Sequence, residues 1–450
     1  MRRLWLAMAL AAGLAAAQDV TGDWAGTLDA GALKMRILVH IKKGAAGALE
    51  GTMDSLDQNA KGIKVSSITF QDSTLKFSVD VAHGQYEGKL KADGSEIDGT
   101  WTQGAPMTLN LKRATGTEDQ LQRPQNPAKP YLYKEEEVTY ENKLAKIKLA
   151  GTLTIPQGKG PFTAVLLITG SGPQDRDESL MGHKPFLVMA DYLTRKGIEV
   201  LRVDDRGVGV SGGNFATSTT ADFATDAEAG VAFLKSRAEV DRHKIGLVGH
   251  SEGAVIAPMV AAQNPDVAFI VMMAGPGLSG ADLIVEQVRA MVLATGGSQE
   301  KADAAANQQR QLVTLVRDEK DLETLKAKLR DVLTKRGAGG SADAAVIQLT
   351  SPWYRYFMSL DPAAFLSKVS CPVLAINGEK DVQVPPKQNL PAIRRALEAG
   401  GNKKVETVEM PGLNHLFQTA KTGLPSEYSQ IEETMAPAAL QKIADWIGRQ

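Results

Sequence analysis

From about residue 131 the chain alternates short, nearly continuous apolar runs with longer stretches of helical spacing. The runs at 163–169, 198–203, 245–248, 268–273 and 373–377 are apolar at most positions, and the one at 405–409 carries Val405 and Val408. Strands of that kind are buried on both faces, so they predict a parallel sheet covered on both sides by helices. The helices are expected near 185–196, 220–236, 252–263, 388–399 and 433–448. Two half-alternating runs, at 138–140 and 147–153, read as an antiparallel opening pair. Between about 280 and 365 the alternation stops. Charged, Ala- and Leu-rich helical stretches at 282–295, 300–317 and 319–335 precede an aromatic patch of Trp353, Tyr354, Tyr356 and Phe357. An insertion at that point predicts a helical cap over the carboxyl ends of the strands, where open α/β sheets hold their ligands.

The first part of the chain has another period. Residues 18–112 show two-residue alternation at 35–41, 67–70, 75–79, 86–90 and 107–111, with Gly, Asp and Asn between. That predicts an all-β domain: a meander, barrel or sandwich. The segments around Trp24 and Trp101 look alike and are expected to pair where the module closes. Residues 113–130 are polar and carry Pro124, Pro127 and Pro130, the composition of a linker. The α/β domain is then 131–450.

The chain has 450 residues, 43% hydrophobic and 23% charged, which is globular composition with room for two or three domains. Its net charge of −1 gives no electrostatic reason to bind nucleic acid or an anionic membrane. Arg2 and Arg3 precede an apolar stretch at 4–14 and then Ala15-Ala16-Ala17. That stretch is short for a bilayer span, and small residues follow it, so residues 1–17 read as a secretory signal peptide with the mature chain starting at Gln18. No stable membrane insertion is expected after its removal. Cys371 is the only cysteine, so no intrachain disulfide forms. A bacterial periplasm or the extracellular space suits such a chain. Whether it forms a homo-oligomer is left open.

The candidate chemistry starts at Gly249-His250-Ser251-Glu252-Gly253, set between an apolar strand and a helical run. Strand, sharp turn and helix form the setting of a nucleophile elbow, which exposes the serine hydroxyl at the strand's end. A serine hydroxyl is a weak nucleophile and needs a base, and the base needs an acid to orient it. Of six histidines, His415 follows the last predicted strand, in Leu413-Asn414-His415. His40 and His83 fall in the β domain and His243 in a turn; His250 adjoins the nucleophile and is expected to aim away from it. The acid belongs after the preceding strand, where Asp381 fits best and Glu379 stands second. Ser251, Asp381 and His415 follow the chain order of α/β-hydrolases. The oxyanion needs backbone donors, and the amides of Glu252 and of Ser171, in the Gly170–Asp177 loop, are the candidates.

Gly207-Val208-Gly209-Val210-Ser211-Gly212 fits a dinucleotide fingerprint, but no helix opens at its glycines. Asp204, Asp205 and Arg206 read instead as an ion-pair network bracing the site loops, with Asp175, Arg176 or Asp177 as partners. No histidine, cysteine and carboxylate cluster has metal-ligand spacing, and no cofactor is expected.

Together, Gly170–Asp177, Gly182-His183-Lys184-Pro185-Phe186, Asp204–Gly209, the Ser251 elbow, Ser351-Pro352-Trp353, Asp381 and Asn414-His415 resemble the α/β-hydrolase superfamily. More narrowly, they are similar to secreted bacterial EstD-type esterases and their serine aminopeptidase-like and dienelactone hydrolase-like relatives. The resemblance covers about 131–450. It implies cofactor-free hydrolysis of short-acyl carboxylic esters, with a triad of Ser251, Asp381 and His415. The resulting expectation is an exported serine carboxylesterase for short-to-medium acyl esters, with Trp353, Tyr354 and Phe357 walling its pocket. A peptidase or amidase with the same triad is the alternative, with Glu252 or Asp177 reading a free amino group. A non-catalytic binding protein is the third.

Overall fold

The computed structural model of the chain describes residues 19–29, 34–44, 47–58, 60–116, 123–337 and 342–450. The signal segment expected at 1–17 lies outside the described residues. The chain divides into two compact units, residues 1–120 and 121–450.

The first unit is an antiparallel sheet. Its strands are β1 (Gly22–Asp29), β2 (Lys34–Lys43), β3 (Leu49–Ser55), β4 (Ala60–Lys64), β5 (Ser67–Gln71), β6 (Thr74–Val79), β7 (Gly84–Leu90), β8 (Glu96–Gln103), β9 (Ala105–Thr108) and β10 (Leu111–Arg113). Their order is β4-β3-β2-β1-β10-β8-β7-β6-β5, with β9 paired to β8. β7 shows the two-residue period cleanly: Tyr86 and Leu90 are buried while Gln85, Glu87 and Lys89 face out. Trp24 and Trp101 are both buried in its core. Their strands do not pair, because β10 lies between β1 and β8. The single strand expected at 107–111 is split at Leu109-Asn110. There the Leu109 amide bonds to the Gly99 carbonyl and the Asn110 side chain accepts the Gly99 amide; both pieces lie along β8, and the second also pairs with β1.

The second unit is built on eight strands: β11 (Lys134–Asn142), β12 (Ile147–Ile155), β13 (Phe162–Ile168), β14 (Ile198–Val203), β15 (Val240–His250), β16 (Val267–Met273), β17 (Val373–Gly378) and β18 (Val405–Met410). Their order is β11-β12-β14-β13-β15-β16-β17-β18. β11 and β12 run antiparallel, and every pair from β14 onward is parallel. Because side chains alternate across a strand, each central strand feeds two cores. Leu166, Leu247 and Ala375 face α2 (Thr220–Ser236), α3 (Gly253–Ala261) and α10 (Pro386–Ala399). Val165, Val248 and Leu374 face α1 (Pro185–Arg195) and α11 (Pro437–Ile447). Between β16 and β17 the chain inserts the cap helices α4 (Gly280–Ala294), α5 (Gln299–Asp318), α6 (Leu322–Lys335), α7 (Ala342–Leu349), α8 (Pro352–Ser359) and α9 (Ala363–Leu366). This is the α/β-hydrolase architecture.

Residues 123–130, expected as linker, are held by the second unit. Arg123 donates to the carbonyls of Met181 and Ile431 at 2.8 and 3.0 Å, and Gln125 to that of Met435 at 2.7 Å. Among the described residues no helix is long and apolar enough to cross a membrane.

Candidate active site

The elbow comes directly from its sequence. β15 ends at His250, Ser251 takes φ = +52°, and α3 begins at Gly253. A left-handed backbone is costly for a residue with a Cβ, so this serine is held there by its surroundings. The flanking glycines make the fit. A Cβ on Gly249 would overlap the Gly253 carbonyl, and one on Gly253 would overlap the Ile168 carbonyl. The Ser251 amide donates to the Met273 carbonyl at 2.9 Å, which ties the turn to the neighbouring strand.

His415 stands in the loop after β18, and Asp381 in the loop after β17. The His415 Nδ1 lies 2.8 Å from Asp381 Oδ2, with both side chains buried. In the neutral ring, the Nδ1 that faces a carboxylate carries the proton, which makes Nε2 the acceptor. Asp381 Oδ1 accepts the amides of Gln383 and Val384, each at 2.8 Å, so the carboxylate cannot rotate away. Glu379, the second candidate, is exposed and instead accepts the Gly412 amide at 2.8 Å. The buried Asn414 side chain accepts the amides of Leu416 and Gln418 and folds the His415 loop on itself.

The loop after β13 faces the elbow. Its Gly170 amide is used, donating to Glu178 Oε1 at 2.7 Å. The Ser171 and Glu252 amides enter no main-chain hydrogen bond among the described residues, and both residues line the same cavity as Ser251. The loop is braced as an ion-pair network. Arg176 grips Asp204 with Nε and Nη2 at 3.0 and 2.6 Å, Arg206 grips Asp226 of α2, and Asp177 pairs with Arg202 and Lys184. Asp205 accepts the Thr169 hydroxyl and the Gln174 amide. The glycine-rich run at 207–212 folds back on β12, where the Ser211 hydroxyl accepts the Ala150 amide at 2.9 Å.

Ser251 and His415 line one cavity of about 440 Å³. Leu180, Met181, Leu283, Ile284 and Leu416 make much of its wall. Trp353 and Phe357, one helical turn apart on α8, stack with centroids 5.4 Å apart and line it too. Tyr354, expected beside them, does not line this cavity. One residue further round the helix, it points into the core that the cap shares with the sheet. Glu252 holds the wall in place: its carboxylate accepts the Trp353 Nε1–H at 2.8 Å and the Thr220 hydroxyl at 2.7 Å. Burial pushes this carboxyl above its ordinary value, against those hydrogen bonds.

The sequence matches the family described as Hydrolase_4, serine aminopeptidase S33, over residues 185–419, just over half of the chain. The chain belongs to this S33 family of α/β-hydrolases. It is 28% identical over 366 residues to esterase EstD of Thermotoga maritima, a match covering 80% of this chain and 79% of that one. Among solved structures, an esterase of Pyrococcus furiosus aligns with a TM-score of 0.43 at 16% identity, over 71% of this chain and 91% of its own. A hypothetical protein of Pseudomonas aeruginosa aligns with a TM-score of 0.46 at 16% identity, over 72% and 96%. The fold assignment rests on strand order, two-sided helix cover and the family match.

One contact in this S33 member has no signature in the sequence. His250 does turn from the nucleophile, but into a buried pair with Glu178, its Nδ1 2.9 Å from Glu178 Oε1. Its Nε2 lies 3.0 Å from the main-chain oxygen of His415. Glu178 directly follows the Gly170–Asp177 loop and adopts φ = +53°. That positive φ at a residue other than glycine marks it, and no local sequence pattern does.

Proposed function

We propose that this chain is an exported serine carboxylesterase acting on uncharged esters of short-to-medium acyl length. The observation that carries the reading is the meeting of Ser251 and the Asp381-bound His415 in a largely apolar cavity whose charged lining groups all have partners. In the proposed reaction, Ser251 Oγ attacks the ester carbonyl while His415 Nε2 takes its proton. The tetrahedral oxyanion sits against the Ser171 and Glu252 amides. As it collapses, the C–O bond to the alcohol breaks and His415 gives that proton to the leaving oxygen. Water then attacks the acyl-enzyme, His415 again takes the proton, and the acid leaves with Ser251 restored. Asp381 holds the imidazole tautomer and stabilises the imidazolium.

The peptidase alternative finds less support. Asp177 is paired with Arg202 and Lys184 and does not line the cavity. Glu252 does line it, but its Oε1 is taken by Trp353 and Thr220, and burial raises its pKa, which disfavours the charged form that would read an ammonium. Export is supported by Arg2 and Arg3, the apolar stretch at 4–14 and the alanines before Gln18. The test is a turnover panel that sets p-nitrophenyl esters of rising acyl length against aminoacyl and peptidyl p-nitroanilides, with Ser251→Ala as control. Ester turnover that the substitution abolishes, with anilides inert, is expected. Preferred anilide cleavage would move the chain to the peptidases.

A further inference from the structure

We infer that His250 and Glu178 form a buried ion pair whose task is to position the site, joining the elbow, the oxyanion-side loop and the His415 loop at one point. This rests on the reading of Ser251 and His415 as nucleophile and base. Three bonds meet at the pair. Glu178 Oε1 accepts the Gly170 amide at 2.7 Å and faces His250 Nδ1 at 2.9 Å, while His250 Nε2 faces the His415 carbonyl at 3.0 Å. His250 is itself the last residue before Ser251. A shift of the pair therefore moves the proposed nucleophile, base and oxyanion donors relative to one another.

The pair also fixes a protonation state. A neutral imidazole has one N–H, yet both nitrogens of His250 face acceptors, a carboxylate and a carbonyl. A carbonyl cannot donate, and Glu178 Oε1, the oxygen that faces Nδ1, already accepts the Gly170 N–H, so it stands as an acceptor toward both. The ring is thus an imidazolium. The ionisable groups around it are Glu178, Asp381 and the His415 ring, whose centroid is 4.9 Å away. Burial opposes charge on His250, but the Glu178 charge and hydrogen bond, the His415 carbonyl and the Asp381 charge outweigh it and raise its pKa. His250 and Glu178 are positioning residues: they act through the Gly170 amide and the His415 main chain.

The experiment has two arms on the full chain. First, long-range ¹H–¹⁵N spectra of ¹⁵N-histidine-labelled protein at pH 8 are expected to show His250 with both nitrogens protonated. A His250 with one proton overturns the assignment, whatever any variant does. Second, kcat and KM are compared for Glu178→Gln, His250→Asn and His250→Gln. Misplaced reacting groups cost kcat, so Glu178→Gln and His250→Asn are expected to lower it about 10- to 100-fold with KM within about twofold. His250→Gln, whose amide reaches toward the His415 carbonyl, is expected to recover part of that loss. Wild-type kcat in Glu178→Gln would overturn the positioning role. If Ser251→Ala kept its turnover, the nucleophile reading would fail instead, so the two failures are told apart.

Discussion

β14 brings buried and half-buried acids to its two ends, and the two ends treat them differently. Past its last residue, Asp204 is gripped by Arg176, and Asp205 by the Thr169 hydroxyl and the Gln174 amide. Near its first residue, Glu199 is fully buried, and neither of its carboxylate oxygens has a hydrogen-bond partner among the described residues. Burial pushes Asp205 and Glu199 alike up to about 7. What separates them is company. At the carboxyl end of the sheet Asp204 and Asp205 each fix a loop, and those loops frame the proposed site. At the amino end a buried acid fixes nothing and is tolerated best when neutral.

If the carboxyl end is the reactive one, the largest effect belongs to Ser251. Ser251→Ala is expected to lower kcat on p-nitrophenyl butyrate by about 10⁶-fold, the scale for losing a hydrolase nucleophile. Asp381→Asn comes next, at about 10⁴-fold in kcat, because the amide keeps the shape and presents the wrong partner to Nδ1. Retained turnover in either would end the contrast at its strong side. The cap wall is expected to govern choice more than rate. Trp353→Ala removes a ring that lines the cavity, and it should raise the kcat/KM ratio of long over short acyl esters by about 10- to 100-fold. An unchanged ratio would place acyl recognition elsewhere.

The smallest effect tests the amino end. A carboxyl whose folded pKa is raised, here from 4.5 to about 7, binds its proton more tightly in the folded state. Stability through Glu199 is therefore full below 4.5, falls as pH rises through that window, and levels off above about 7. Glu199→Gln removes the dependence. Its Tm is expected to exceed that of the wild type at pH 8 and to match it near pH 4.5, with ester turnover unchanged. Lost turnover would erase the distinction between the two ends.

Much of this was readable from the chain. The nearly continuous apolar runs mark β13, β14, β16 and β17 to within a residue or so at each end, because strands buried on both faces leave little room for another reading, and the sparser run at 405–409 marks β18, a half-buried edge strand, as closely. β15 begins earlier than its apolar core. After Val240 come four polar residues, and His243 among them, expected in a turn, lies exposed on the strand. α8 has a visible start, since Ser351 caps it and Pro352 opens it, but the neighbouring aromatics Trp353 and Tyr354 cannot share one face of a helix. Helical phase is what sends Tyr354 into the core while Trp353 and Phe357 reach the cavity. The Glu178–His250 pair was not legible. Its members are far apart in the chain, and only the fold brings them together.

The cap enters and leaves the chain between β16 and β17, after Ser251 and before Asp381 and His415. Nothing that carries the proposed chemistry is interrupted by it. Such an insertion can be lengthened, shortened or exchanged as a cassette while the strand ends below keep their spacing. Glu252, which follows Ser251 and holds Trp353 of the cap, is the side chain any replacement would have to match or release. Substrate range and the proposed reacting groups thus lie on separate stretches of the chain, and a change in the first leaves the second in place.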